Sequence, residues 1–279
     1  MRKIKSDIIC NAVENLCAKA NFELPTDVLK ALKQSIVLEK DTAKDIFEEI
    51  IKNVDIAETE QIPLCQDTGI ANFFVKLGKE VFIDDGDIYY AVNRGVSLGY
   101  INNYLRKSIV SDPLERKNTK DNTPANIYID IVSGSKIEIT FLPKGGGSEN
   151  ASALKMLAPS AGWDGVKEFV LSVVNNKGRN ACPPLIIGVG IGGDFASVGL
   201  ISKKALLREI NSENKITFYA EREKELLNDI NKLNIGPMSL GGNTTALAVF
   251  IEKRPTHIAS LPVAVSIQCH SCRRKTVII

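Results

Sequence analysis

The spacing of apolar residues changes along the chain, and that change limits the folds open to it. Over the first sixty residues the apolar positions recur at helical intervals. Ile9, Val13, Leu16 and Cys17 share one face; Val28, Leu29, Leu32 and Ile36 share a second, after Pro25; Ile46, Phe47, Ile50, Ile51 and Val54 share a third. A short strand is expected near Ala71–Leu77. The stretch Asp87–Lys107 reads as a helix, with Ile88, Val92, Val96 and Tyr100 on one face. Beyond Asp112 the pattern shifts. Pro113–Pro124 is a polar excursion, and Ile127–Val132 and Lys136–Leu142 alternate on either side of Ser133-Gly134-Ser135 as the arms of a β-hairpin would. Helices are expected at Asn150–Leu157, Val166–Asn175, Leu200–Glu209 and Tyr219–Leu233. Strands are expected at Leu185–Val189, Ala246–Ile251 and His257–Ile267. The predicted class is α+β, a helical N-terminal part packed on a mixed α/β part with a central β-sheet. No flexible linker separates the two, so a single domain over 1–279 is expected, helical to about residue 60 and α/β over about 61–279.

Composition narrows the function classes. Thirty-five Lys and Arg against 33 Asp and Glu leave a charge of +2, which gives no reason to expect nucleic acid or an anionic membrane as partner. No run of 18 apolar residues is present to cross a bilayer. The basic start Met1–Lys5 is not followed by an apolar signal core, so a cytoplasmic protein is expected. Six cysteines in such a chain read as buried, catalytic or metal-bound and not as a disulfide framework.

The cysteines divide by neighbourhood. Cys10 and Cys17 fall in the first amphipathic helix and read as small buried hydrophobes. Cys65 lies in the turn-rich Pro63-Leu64-Cys65-Gln66-Asp67-Thr68-Gly69. Cys182 precedes Pro183-Pro184, which forbid a helix, and Cys269 opens Cys269-His270-Ser271-Cys272 after an apolar strand. Cys269-x-x-Cys272 is half of a zinc site or a redox dithiol, but the chain has no second local pair and no thioredoxin-like helix after it. An iron–sulfur cluster held by three thiolates from distant loops fits the spacing better; one iron would then stay open to act as a Lewis acid.

Other motifs are weaker. Gly188-Val189-Gly190-Ile191-Gly192-Gly193 matches G-x-G-x-x-G, but the acidic residue at the right distance, Glu209, falls in an expected helix. Lys144-Gly145-Gly146-Gly147-Ser148 has its lysine on the wrong side for a P-loop and is either a plain turn or an anion-binding nest. His257, in Arg254-Pro255-Thr256-His257, is uninformative by itself.

Taken together, the Cys65 segment, Lys144–Ser148, Gly188–Asp194, Gly236–Thr245, Arg254–His257 and the ending Gln268–Arg274 resemble the class I fumarate hydratases, in order, from about residue 8 to the C-terminus. That resemblance implies a [4Fe–4S] cluster on Cys65, Cys182 and Cys269, with Cys272 not a ligand. It implies substrate contacts from Gln66, Asp67, Arg106, the backbone at Gly147 and His257, with Asp67 and His257 in catalytic roles. Single-chain members are about twice as long, so the chain looks like an α subunit. A separate β subunit would supply the catalytic base and further carboxylate-binding residues, in an α2β2 assembly acting on a small dicarboxylate. The implied reaction is hydro-lyase chemistry between fumarate and (S)-malate. The α subunit of L-tartrate dehydratase shares these motifs and is the near alternative. A non-catalytic metal-binding or assembly protein is the alternative from another class.

Overall fold

The computed structural model describes residues 1–279. Its elements in chain order are β1 (Arg2–Ile4), α1 (Ser6–Phe22), α2 (Thr26–Ser35), α3 (Asp41–Glu60), β2 (Ile70–Gly78), β3 (Val81–Ile83), α4 (Ile88–Asn102), β4 (Asn126–Val132), β5 (Ile137–Lys144), α5 (Gly146–Asn150), β6 (Ala153–Leu157), α6 (Gly162–Lys177), β7 (Leu185–Gly193), α7 (Ser197–Ala205), α8 (Thr217–Asn231), β8 (Ala246–Thr256), β9 (Leu261–Gln268) and β10 (Lys275–Ile278). The fold is α+β, and the strands are shared between two four-stranded sheets and one short pair. No helix is long and apolar enough to cross a membrane.

Two compact units emerge. The first consists of Met1–Pro25, Val54–Gly146 and Arg273–Ile279, the second of Thr26–Asn53 and Gly147–Cys272. In the first, the sheet order is β10-β5-β2-β4. Helices α1 and α4 pack against each other because Gly95 and Gly99 carry no Cβ: one added there would lie 2.6 Å from the Cys10 carbonyl or 2.7 Å from Cys17 Cβ. The apolar stripes seen in the sequence meet here, Ile9, Val13 and Leu16 against Val92, Val96 and Tyr100, over Phe73, Ile139 and Phe141 of the sheet. Phe73 and Phe141, paired in register, stack with ring centres 4.7 Å apart. The Asp87 carboxylate caps α4 by accepting from the Tyr90 N–H.

The expected hairpin does not form. Strands β4 and β5 flank β2, β4 parallel to it and β5 antiparallel. The Ser133–Ser135 connection instead crosses the end of β2, where the amides of Gly78, Lys79 and Glu80 donate to the carbonyls of Lys136, Val132 and Gly134. Alternation located the strands, but β2, almost wholly buried, takes the central place between them. The helix expected to reach Lys107 also stops early, at Asn102, and Tyr104 adopts φ 54 just beyond it.

In the second unit the order is β6-β9-β7-β8, with β7 parallel to β8 and antiparallel to β9. Val166, Val170 and Val174 of α6, with Leu226 and Ile230 of α8, bury Ile187, Val189, Val249, Val265 and Ile267. The glycine run lies inside β7 and forms no dinucleotide loop. A Cβ at Gly188 would sit 2.2 Å from the Ser202 carbonyl and one at Gly190 2.5 Å from that of Val198, so the glycines let the backbone of α7 lie on the sheet. The helix expected at Asn150–Leu157 is the short α5 followed by strand β6. Pairing with β9, from Ala153↔Val265 to Leu157↔Leu261, overrides the local apolar spacing.

Substituting Gly188→Ala should therefore lower stability by about 1–3 kcal/mol, because neither backbone can yield cheaply. Chemical denaturation followed by circular dichroism would check this; an unchanged midpoint would contradict the packing described.

Candidate functional site

In the first unit, the segment after α3 is held from several sides. Leu64 is buried, and its N–H donates to the Asn21 carbonyl at 2.8 Å. Cys65 is partly buried; its thiol donates to Gln66 Oε1, and its sulfur accepts the Asp67 N–H, each at 3.4 Å. The Asp67 carboxylate accepts the Gly69 N–H on Oδ1 (3.0 Å) and the Gly146 N–H on Oδ2 (2.7 Å). The Lys144–Ser148 segment, a plain turn or an anion-binding nest by its sequence, thus has this carboxylate on one of its amides. Gly69 has φ +77, and a Cβ there would meet the Lys144 backbone at 2.8 Å, so glycine is required.

Three further side chains fix the same loop. Thr68 Oγ1 donates to the Arg106 carbonyl (2.9 Å), which ties Arg106 to the loop while its side chain stays exposed. The buried Tyr100 hydroxyl lies 2.8 Å from the Thr68 carbonyl, and burial pushes its phenol well above the ordinary range. Arg273, 1% exposed, donates to Asn21 Oδ1 (2.8 Å) and to the Asp67 carbonyl (2.9 Å). A buried guanidinium needs such acceptors, and here they are part of the Cys65 segment. Sequence reasoning missed Tyr100, Asn21 and Arg273 as supports. Arg273, beside the last cysteine motif, was the one with a visible signal.

In the second unit, Cys182 follows a 3₁₀ turn at Gly178–Ala181 and is exposed, with φ 51, an uncommon backbone state for a residue with a Cβ. The Pro183 carbonyl accepts the Met238 N–H (2.8 Å), and Ser239 Oγ donates to the Arg179 carbonyl (2.9 Å). The Gly236–Thr245 motif therefore buttresses the Cys182 segment. It is anchored in turn by Glu39, whose carboxylate accepts the N–H groups of Asn243 and Thr244. Cys269 follows Gln268, which pairs in register with Ile186, so both cysteine segments leave the same end of the sheet. His270 closes them together: its N–H is 3.4 Å and its Nδ1 3.0 Å from the Cys182 carbonyl. Gly147 belongs to this neighbourhood, since a Cβ on it would lie 3.1 Å from the Asn180 carbonyl.

His257 does not. It is exposed at the turn before β9, where its Nδ1 accepts the Ala259 N–H at 3.2 Å. Cys269 follows the other end of that eight-residue strand, on the order of 25 Å away at ~3.3 Å per residue. The expectation that this imidazole completes a pocket with Cys182 and Cys269 therefore finds no support within the unit. In the same unit the Asp194 carboxyl is held below its usual range by hydrogen bonds from Ser197 and by the Arg254 guanidinium.

No two of the cysteines are joined in a disulfide. Cys65 and Cys269 are partly exposed and Cys182 is exposed, whereas Cys10, Cys17 and Cys272 are buried. Burial also pushes the Cys10 and Cys17 thiols up, so these two are poor thiolates. The cysteines that are not buried are Cys65 in the first unit and Cys182 and Cys269 in the second, and thiolates are the donors an iron–sulfur cluster takes. The buried Cys272 disfavours a local Cys-x-x-Cys zinc knuckle, and neither unit gathers three or more His, Cys, Asp or Glu side chains for a single ion.

Comparison with known proteins agrees with this pattern. A family model described as fumarate hydratase (Fumerase) matches residues 10–278. A protein of Methanocaldococcus jannaschii, provisionally named L(+)-tartrate dehydratase subunit alpha, is 44% identical over 273 residues, covering 95% of each chain. The L(+)-tartrate dehydratase subunit alpha of Escherichia coli O157:H7 is 35% identical over 272 residues, 96% of this chain and 89% of its own. That of Escherichia coli K12 is 34% identical over 271 residues.

Thiol labelling of the folded, cluster-free protein should modify Cys182 first, then Cys65 and Cys269. Cys10, Cys17 and Cys272 should react only after denaturation. Peptide mass mapping over a time course reads the order, and early labelling of Cys17 or Cys272 would contradict the burial described.

Proposed function

Because this chain belongs to the fumarate hydratase (Fumerase) family, we propose that it is the α subunit of an iron–sulfur hydro-lyase that takes water from a small hydroxy-dicarboxylate. The observation that carries the reading is the pairing of the family's motifs with three reachable cysteines, Cys65, Cys182 and Cys269, in a chain whose other cysteines are buried. These three would hold a [4Fe–4S] cluster. When bound, such a cluster supplies a Lewis-acidic iron without a protein ligand, which polarises a substrate hydroxyl.

The chain's own residues then bind and orient. Gln66 is exposed beside Cys65 and offers an amide to the substrate's polar groups. Asp67 is held rigid, each carboxylate oxygen fixed by a backbone amide, and presents an acceptor that cannot swing away. Arg106, tied through its carbonyl to Thr68, carries an exposed guanidinium suited to a substrate carboxylate. The backbone at Gly147 completes the set. The resemblance also gives His257 a substrate contact; within the second unit it stands at the far end of β9 from Cys269.

The relatives are named as alpha subunits, which supports a second, β chain that brings the base for the carbon-bound proton and further carboxylate-binding groups. An α2β2 assembly is the arrangement proposed. The same names favour L-tartrate as substrate. The family model favours the malate–fumarate pair as a second reading.

Anaerobic co-production with the β chain and assay of both acids tests this. Loss of water from L-tartrate faster than from malate is expected, and the Cys182→Ser variant should lose cluster absorbance and more than ~100-fold of the rate. Malate preferred over tartrate would select the second reading. Full activity in Cys182→Ser would remove that cysteine from the ligand set, and no turnover of either acid would favour a metal-binding or assembly protein.

A further inference from the structure

Arg273 is the bulkiest of the fully buried side chains, and it carries a charge. Its hydrogen-bond partners are neutral: Asn21 Oδ1 at 2.8 Å and the Asp67 carbonyl at 2.9 Å. Its Nε–H, also buried, has no partner. Asp67, whose carbonyl it holds, turns its carboxylate to the amides of Gly69 and Gly146 instead. Tyr100 lies close enough to feel the charge, but burial, the larger influence, pushes its phenol well above the ordinary range, so it stays neutral. A guanidinium keeps its proton at any ordinary pH, and burying it without a counter-charge is costly. A cation left in such a place points to an anion that the chain alone does not supply.

The position narrows the choice of anion. Arg273 is shut off from solvent, out of reach of a dissolved dicarboxylate. The Cys65 sulfur is near. It accepts the Asp67 N–H at 3.4 Å, and Arg273 holds the carbonyl of that same residue, which puts guanidinium and sulfur within about 10 Å of each other. A cluster held by three thiolates is anionic, since the thiolates outweigh the charge of its core. Between charges at that range, with little water to screen them, attraction persists.

We propose that Arg273 is the counter-ion of the cluster held at Cys65, a positioning residue that fixes the Asp67 peptide and whose buried charge sets how easily the cluster gains or loses an electron. This rests on the cluster reading above. Reduction adds one electron, and so negative charge, which a nearby cation favours. With the cation removed, the midpoint potential falls and loss of an electron to oxygen becomes easier.

The test uses the anaerobically isolated holoprotein with its partner chain, as wild type, Arg273→Lys, Arg273→Gln and Asn21→Asp. Arg273→Lys keeps the charge, and Arg273→Gln keeps a donor without it. Asn21→Asp keeps the bond to Arg273, gives up the one to the Cys17 carbonyl and sets a carboxylate against the guanidinium. The readouts are iron and sulfide content, midpoint potential followed by electron paramagnetic resonance, and the decay of visible absorbance in air. A lowered potential and several-fold faster decay at full iron content are expected in Arg273→Gln and Asn21→Asp, with Arg273→Lys close to wild type. If one of the two charge-removing variants fails to fold, the other carries the same comparison. Wild-type potential and decay in these variants, with only the thermal midpoint lowered, would overturn the proposal and leave Arg273 a structural clamp. An equal change in Arg273→Lys would also overturn it, because the guanidinium's hydrogen bonds and not its charge would then matter. Wild-type protein without iron and sulfide would overturn the cluster reading and this proposal with it, whereas an intact cluster with an unmoved potential overturns this proposal alone.

Discussion

The antiparallel pairing of β7 with β9 sets the arrangement on which the second unit's chemistry depends. A strand register is discrete: a slip of one residue would turn every side chain to the opposite face. Here Ile186 stands opposite Gln268, so the segment entering β7 and the segment leaving β9 lie at one end of the sheet with Cys182 and Cys269 on them. The register is enforced from both faces. Val189, Val265 and Ile267 must point into the core beneath α6 and α8, while Gly188 and Gly190 must point at the backbone of α7. Cys182 and Cys269 lie just outside β7 and β9, and their position follows from strands that cannot slide.

The first unit solves a similar problem with polar groups. The Cys65 segment has no regular structure; its Thr68 and Asp67 carbonyls are satisfied by Tyr100 and Arg273 from elsewhere, and its own Asp67 carboxylate accepts the Gly69 and Gly146 amides. Such a loop is rigid without being a helix or strand, because each supporting group is buried or doubly bonded. That rigidity suits binding, where a polar group must wait in place for its ligand.

Much of this was legible in the sequence, and the rest was hidden for identifiable reasons. Helical periodicity located α1, α2, α3 and α4, because each has one face to bury. Strand partners were not legible: the hairpin expected from Ile127–Leu142 has β2 inserted in it, and pairing partners depend on residues distant in sequence. Strand β6 looked helical because a short edge strand borrows its conformation from β9. The glycine run shows the opposite limit, since its motif was visible but its purpose, close helix packing, required the third dimension. Of the candidate residues, Cys65, Gln66, Asp67 and Arg106 share one loop system, and Cys182, Cys269 and Gly147 share one sheet end. His257 sits at the other end of that sheet, which a motif in one dimension could not reveal.

The central claim is that Cys65, Cys182 and Cys269 hold an iron–sulfur group. Iron, zinc and acid-labile sulfide should be determined on the anaerobically isolated protein, beside a variant with all three replaced by serine. The account predicts about four iron and four sulfide per chain, as a [4Fe–4S] cluster requires, and neither in the variant. Stoichiometric zinc without sulfide, or iron and sulfide retained in the variant, would contradict it.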